Sequence, residues 1–178
     1  MKYKLIVLAI ILILCSSCSF INESDENSDP IEHPDLTLIN STYNINTSDN
    51  SRIVLKSSKI DFYNKTNLTL IDDASFEIVD VNNTLISQGS CDQVKINTDT
   101  NDVEFNENVI INIIDSKLDI KCDKISWNNK DNILSTDEKV KVDSEFGKFE
   151  GTGFSANIST RYFEFKQIDK GELYEKDN

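Results

Sequence analysis

The segment Arg52–Phe62 reads RIVLKSSKIDF, and the segment Lys117–Trp127 reads KLDIKCDKISW. Each alternates apolar and polar residues, reaches a small residue, skips two positions and resumes the alternation. The in-phase positions are Ile53, Leu55, Ser57, Ile60 and Phe62 in the first, and Leu118, Ile120, Cys122, Ile125 and Trp127 in the second. Period two is the mark of a half-buried strand. Because strand side chains alternate strictly, a one-residue slip turns the second half of a strand outward unless a β-bulge absorbs it, and a bulge bends the strand. A chain that repeats the slip must bend several strands along one line.

The slip recurs. The stretches KSSKIDFYNKTNLTLIDDASFEI, SCDQVKINTDTNDVEFNENVIINI, KCDKISWNNKDNILSTDEKVKV and FSANISTRYFEFKQI align without large gaps, as repeats of about 30 residues. Their anchors are Ile60, Val94, Ile125 and Ile158, spaced 34, 31 and 33 residues apart. The extra residue falls in Ser58-Lys59, Asp92-Gln93, Asp123-Lys124 and Ala156-Asn157, each after a small residue: Ser57, Cys91, Cys122 or Ser155. Small side chains suit a tight corner. From Arg52 onward no segment shows a 3.6-residue apolar period, and polar clusters such as NKTN and NTDTND separate the alternating runs. The expectation is an all-β domain over residues 51–175, a sheet folded over itself with a continuous apolar interior.

Residues 1–18 have a different character. Two lysines precede ten apolar residues from Leu5 to Leu14, and Ser16-Ser17-Cys18 follows. Ten residues rise about 15 Å as a helix, half of a hydrocarbon core, so a secretion signal fits better than a membrane span. The small residues before Cys18 match a bacterial lipobox, which makes Cys18 the expected lipidation site and membrane anchor. Residues 19–50 are polar and acidic and hold both prolines of the chain. They read as a flexible tether with one short strand, Leu36–Ile39, near its end.

The net charge of −13 becomes −15 once Met1–Ser17, with two lysines and no acids, is removed. Such a surface opposes nucleic-acid binding, which needs clustered Lys and Arg. A lone histidine, His33, and the absence of any CxxC motif beyond Cys18, where only Cys91 and Cys122 remain, exclude the usual triads and zinc sites. Hence no enzyme activity, metal or cofactor is expected. Asp72-Asp73 and Asp137-Glu138 read as solvated carboxylate pairs in turns. Gly151 and Gly153 suggest a turn of positive φ or a close strand approach. Cys91 and Cys122 hold equivalent repeat positions; a disulfide and a pair of buried thiols are both open.

From Cys122 to Phe154 the sequence resembles the LptC family and its LptA/OstA-like relatives. The resemblance rests on Cys122-Asp123-Lys124-Ile125-Ser126-Trp127, on Leu134-Ser135-Thr136-Asp137-Glu138-Lys139-Val140-Lys141-Val142, and on Gly151-Thr152-Gly153-Phe154. It implies an open, folded-over β-jellyroll (a β-taco) that passes lipopolysaccharide or a related glycolipid from an inner-membrane ABC exporter to an LptA-like periplasmic bridge protein. The usual family anchor is a transmembrane helix, from which this short apolar run and Cys18 depart. Ser19 fits outer-membrane sorting of a lipoprotein; the resemblance implies the inner membrane, which is the reading adopted.

A folded sheet of this kind would accept acyl chains inside and partner strands at its edges. The residues expected to face inward are Phe62, Phe76, Ile78, Val94, Ile96, Phe105 and Ile111, followed by Ile113, Ile125, Trp127, Val140, Val142 and Phe154. More than half of them are expected to be plain core. The alternative function is a surface-exposed structural or adhesive lipoprotein with a closed scaffold.

Overall fold

The computed structural model describes residues 33–46, 51–157, 160 and 162–174. Nine strands follow in order: β1 (Leu36–Asn46), β2 (Arg52–Tyr63), β3 (Leu68–Val79), β4 (Leu85–Asn97), β5 (Val103–Ile113), β6 (Leu118–Asn128), β7 (Ile133–Ser144), β8 (Gly147–Asn157) and β9 (Tyr162–Leu173). They form one antiparallel sheet in sequence order, and β1 does not pair with β9. The sheet is therefore an open meander, and each repeat of the sequence is a hairpin of two strands. The strand read over Leu36–Ile39 runs on to Asn46, so the sheet begins within the stretch assigned to the tether.

Every strand bends near its middle. In β2, β4 and β6 the inward residues step from Ser57 to Ile60, from Cys91 to Val94 and from Cys122 to Ile125, as the slip requires. The fourth repeat departs from the expected register. Its step runs from Gly151 to Phe154, not from Ser155 to Ile158, and register pairs Val140 with Gly151 and Thr136 with Phe154. Ile158 itself lies outside the described residues. The partner strands bend too, through Asn40 in β1, Asp73 in β3 and Glu107-Asn108 in β5, all at positive φ. Asn and Asp enter that region at lower cost than other side chains. Asp72-Asp73 and Asp137-Glu138 are consequently mid-strand bend residues, which corrects their assignment to turns.

The bends fold the sheet into two facing walls. One inward row crosses the sheet as Leu55, Phe76, Gly89, Ile111, Ile120, Val142, Phe149 and Gly171, each paired with the next. A second row, on the other side of the bend, includes Ile60, Ile71, Val94, Phe105 and Ile125. Phe163 pairs with Ala156, seven residues along β8 from Phe149. A straight strand would separate those points by about 23 Å. The Phe149 and Phe163 ring centroids are 6.2 Å apart, so the walls do close on one another. Phe76 and Phe105, from opposite walls, meet at 5.7 Å.

Candidate functional site

The inner face of the fold is the one extended apolar surface that the bends create, and its exposure is graded. At the centre it is a sealed core: Ile120 and Ile125 are 0 % exposed, and Ile60, Val109, Val140 and Phe154 are 1 % exposed. At the terminal strands the same face opens. Leu36 and Tyr43 of β1 and Ile168 of β9 point inward by register, opposite Phe62, Leu55 and Gly151, yet each is about half exposed; Leu173 is 75 % exposed.

All thirteen residues expected to face inward do so. Val94, Ile111, Ile113, Ile125, Val140, Val142 and Phe154 are buried in the core. Phe62, Phe76, Ile96, Phe105 and Trp127 are half-buried against it, and Ile78, in register with Ile53, is half-buried near the end of β3. Phe62, Ile96 and Trp127 are the last inward residues before the turns of their wall, so they border the mouth between the walls. Across that mouth lies a cavity of about 160 Å³ bounded by Leu118, Ser144 and Phe146 on one side and Ala156, Tyr162 and Phe163 on the other. Two larger hollows, of about 710 and 260 Å³, have mostly polar linings that include outward residues such as Ser126, Ser135, Lys56 and Glu77.

The rims differ in chemistry. Strand β1, LTLINSTYNIN, carries no charge along eleven residues. Strand β9 carries Glu164, Lys166, Asp169, Lys170 and Glu172. Charged side chains on an edge discourage strand addition, so β1 is the freer of the two edges. It is held to the sheet by Asp61, which accepts hydrogen bonds from Thr37 Oγ1 at 2.6 Å and from Lys59 Nζ. Burial opposes ionisation of Asp61, but these donors outweigh it and keep its carboxyl below the usual range. This anchor was not visible in the sequence, because Thr37, Lys59 and Asp61 have no recognisable spacing.

Cys91 and Cys122 are free thiols. Val109 of β5 pairs with Cys122 and stands between the two cysteine strands. Two strand spacings come to about 9.6 Å, beyond the span of a disulfide; the bonded alternative is thereby ruled out in this fold. Burial pushes the Cys91 thiol up to about 11 and the Cys122 thiol up to about 12. Both are protonated at neutral pH and poor nucleophiles. We expect site-resolved alkylation at pH 7 to leave both unlabelled until denaturant is added. Rapid native labelling of Cys122 would place its strand outside the sheet.

The described residues form a greasy interior with an open rim at each end. The sequence matches the family described as Lipopolysaccharide-assembly, LptC-related, over residues 5–175. The chain belongs to the LptC family. LptC-family membership makes it a component of lipopolysaccharide transport, periplasmic and associated with the inner membrane, that binds lipopolysaccharide and acts within the Lpt system. The open β-jellyroll expected for an LptC-family chain is the architecture observed. A comparison with curated proteins finds no match. Among the described residues no helix is long and apolar enough to cross a membrane. Cys18, the signal segment and the first part of the tether lie outside the described residues.

Proposed function

We propose that this chain is a non-catalytic relay. It receives the acyl chains of lipopolysaccharide, or of a related glycolipid, from an inner-membrane ABC exporter and hands them to a jellyroll bridge protein in the periplasm. The observation that carries the reading is the graded inner face, sealed at Ile120 and Ile125 but open at Leu36, Tyr43, Ile168 and Leu173. Continuation of the apolar surface past the last strand at each end is what stacked domains sharing one lumen require. Each buried methylene of an acyl chain gains about 0.8 kcal/mol, so even a partial chain against the half-buried Phe76 and Phe105 is held. The charge-free β1 edge supports strand addition by a partner. Lipidation at Cys18 and a following tether would keep the domain near its membrane.

Photo-reactive side chains at positions 76 and 113, introduced into the full chain in cells, should form adducts with lipopolysaccharide. Adducts to protein alone, or none, would remove the relay reading and favour a closed adhesive scaffold. Exposed β1 residues Ile39 and Thr42, changed together to lysine, should abolish crosslinking to a bridge partner without lowering thermal stability. Undiminished partner crosslinking would eliminate β1 as the docking edge.

A further inference from the structure

Three turns on each lip of the mouth differ in chemistry. One lip includes the turns β2–β3, β4–β5 and β6–β7, and residues 64–67, 98–102 and 129–132 are Asn, Asp, Thr or Lys without exception. These turns are laced together: Asn67 Nδ2 donates to Asp99 Oδ2 at 2.6 Å, and Asn129 donates from its backbone N–H to Asp102 at 2.9 Å. The other lip includes the turns β3–β4, β5–β6 and β7–β8. Each of those carries one large exposed apolar residue: Val81 at 65 %, Ile114 at 45 % and Phe146 at 53 %. Successive turns on a lip are two strands apart, or roughly 10 Å, so the three side chains make an interrupted apolar line along their lip; on the other lip the comparable exposed side chain is Tyr162, at the start of β9.

Turn tips are ordinarily polar, since isolated apolar side chains there gain nothing from folding. Three in a row on one lip, facing three wholly polar turns across the mouth, is the arrangement that an amphiphile lying in the mouth would select. The apolar line is also continuous with the interior. The 160 Å³ cavity reaches from Phe146 to Leu118, Ala156 and Phe163 of the inner face, with Asp115, Ser116, Ser144, Glu145 and Asn157 completing its lining. A flat bilayer is a poorer occupant. Asp80, Asp115 and Glu145 each adjoin one of the apolar tips, in a chain of net charge −13, and so oppose seating on an anionic membrane surface.

We propose that the lip formed by Val81, Ile114 and Phe146 is the threshold that acyl chains cross to enter the fold, with the polar lip facing the saccharide. The cargo thus has a fixed orientation across the mouth, and its chains pass first beside Phe146. This rests on the relay reading above and goes beyond it by assigning each lip to one end of the lipid.

The test uses the full chain with a photo-reactive residue at position 81, 114 or 146, at position 65 or 130 of the polar lip, or at position 105 inside. The probe is purified rough-type lipopolysaccharide, radiolabelled separately in its acyl chains and in its sugar. Adducts at 105 and at the three apolar-lip positions, retaining acyl label after the sugar is cleaved off, are expected at about tenfold the yield of acyl adducts at 65 and 130. Adducts at 105 with equal or reversed yields on the two lips would overturn the orientation and leave the relay standing. Absence of an adduct at 105 would overturn both. As a second readout, the triple variant Val81→Ser, Ile114→Ser, Phe146→Ser should load lipopolysaccharide about tenfold more slowly with an unchanged melting temperature. An unchanged loading rate, or sedimentation of the native chain with lipid vesicles that this variant loses while loading is kept, would refute the threshold.

Discussion

Phe154→Ala should lower the free energy of unfolding by about 3–5 kcal/mol, the range for deleting a buried aromatic ring. Phe154 is 1 % exposed and packs on Phe165 at 5.2 Å and Phe163 at 6.1 Å. Those two rings in turn meet Phe149 of the opposite wall, each at 6.2 Å. Truncation therefore empties the support beneath the only phenylalanine cluster, among the described residues, that joins wall to wall near β9. For a domain of this size the melting temperature should fall by roughly 10 °C or more. Phe146→Ala is the matched control: its ring is 53 % exposed at a turn, and its loss should cost less than about 1 kcal/mol. A loss below that figure for Phe154→Ala would mean that the walls do not close as described.

Gly151→Ala should detach β9 from the sheet. A Cβ at position 151 would overlap the backbone carbonyl oxygen of Gln167 and touch the Phe165 ring at 3.0 Å. Backbone cannot swing aside as a lysine side chain can, so the strands must part. Since β9 delivers Phe163 and Phe165, their separation uncovers Phe154 as well. A destabilisation of about 2–4 kcal/mol is expected, with amide protection lost across β8 and β9 and retained in β4–β6. Gly171→Ala places its Cβ 3.4 Å from Phe149, an ordinary contact, and should be tolerated. Equal protection in the Gly151→Ala and Gly171→Ala proteins would refute the close approach.

These two glycines also show where sequence reading reached its limit. The slip was legible in β2, β4 and β6 because Ser57, Cys91 and Cys122 sit between flanking apolar pairs. In β8 the pattern of small residue, two others, then apolar residue occurs twice, at Gly151–Phe154 and at Ser155–Ile158. Glycine contributes nothing to alternation, so the later copy carries the stronger signal. The bends of β5 and β7 were hidden for a different reason. Phe105 to Val109, and Thr136 to Val140, span four residues, so parity is preserved and the polar insert resembles a turn. Strand β1 shows the same three-residue step, from Leu38 to Ser41, but its polar composition disguised it as tether. All thirteen inward residues were legible from period two; the chemistry of the lips was not, because it depends on which turns the fold gathers on one side.

The backbone ladder runs only between strands adjacent in sequence, so no ladder bond joins one wall to the other. Parting the walls strips apolar contacts but leaves every rung intact, much as a book opens on its spine without losing a page. The row of polar bend residues is that spine. Capacity is therefore adjustable at the scale of side-chain packing, and a bulky passenger can be accommodated by a domain that never unfolds.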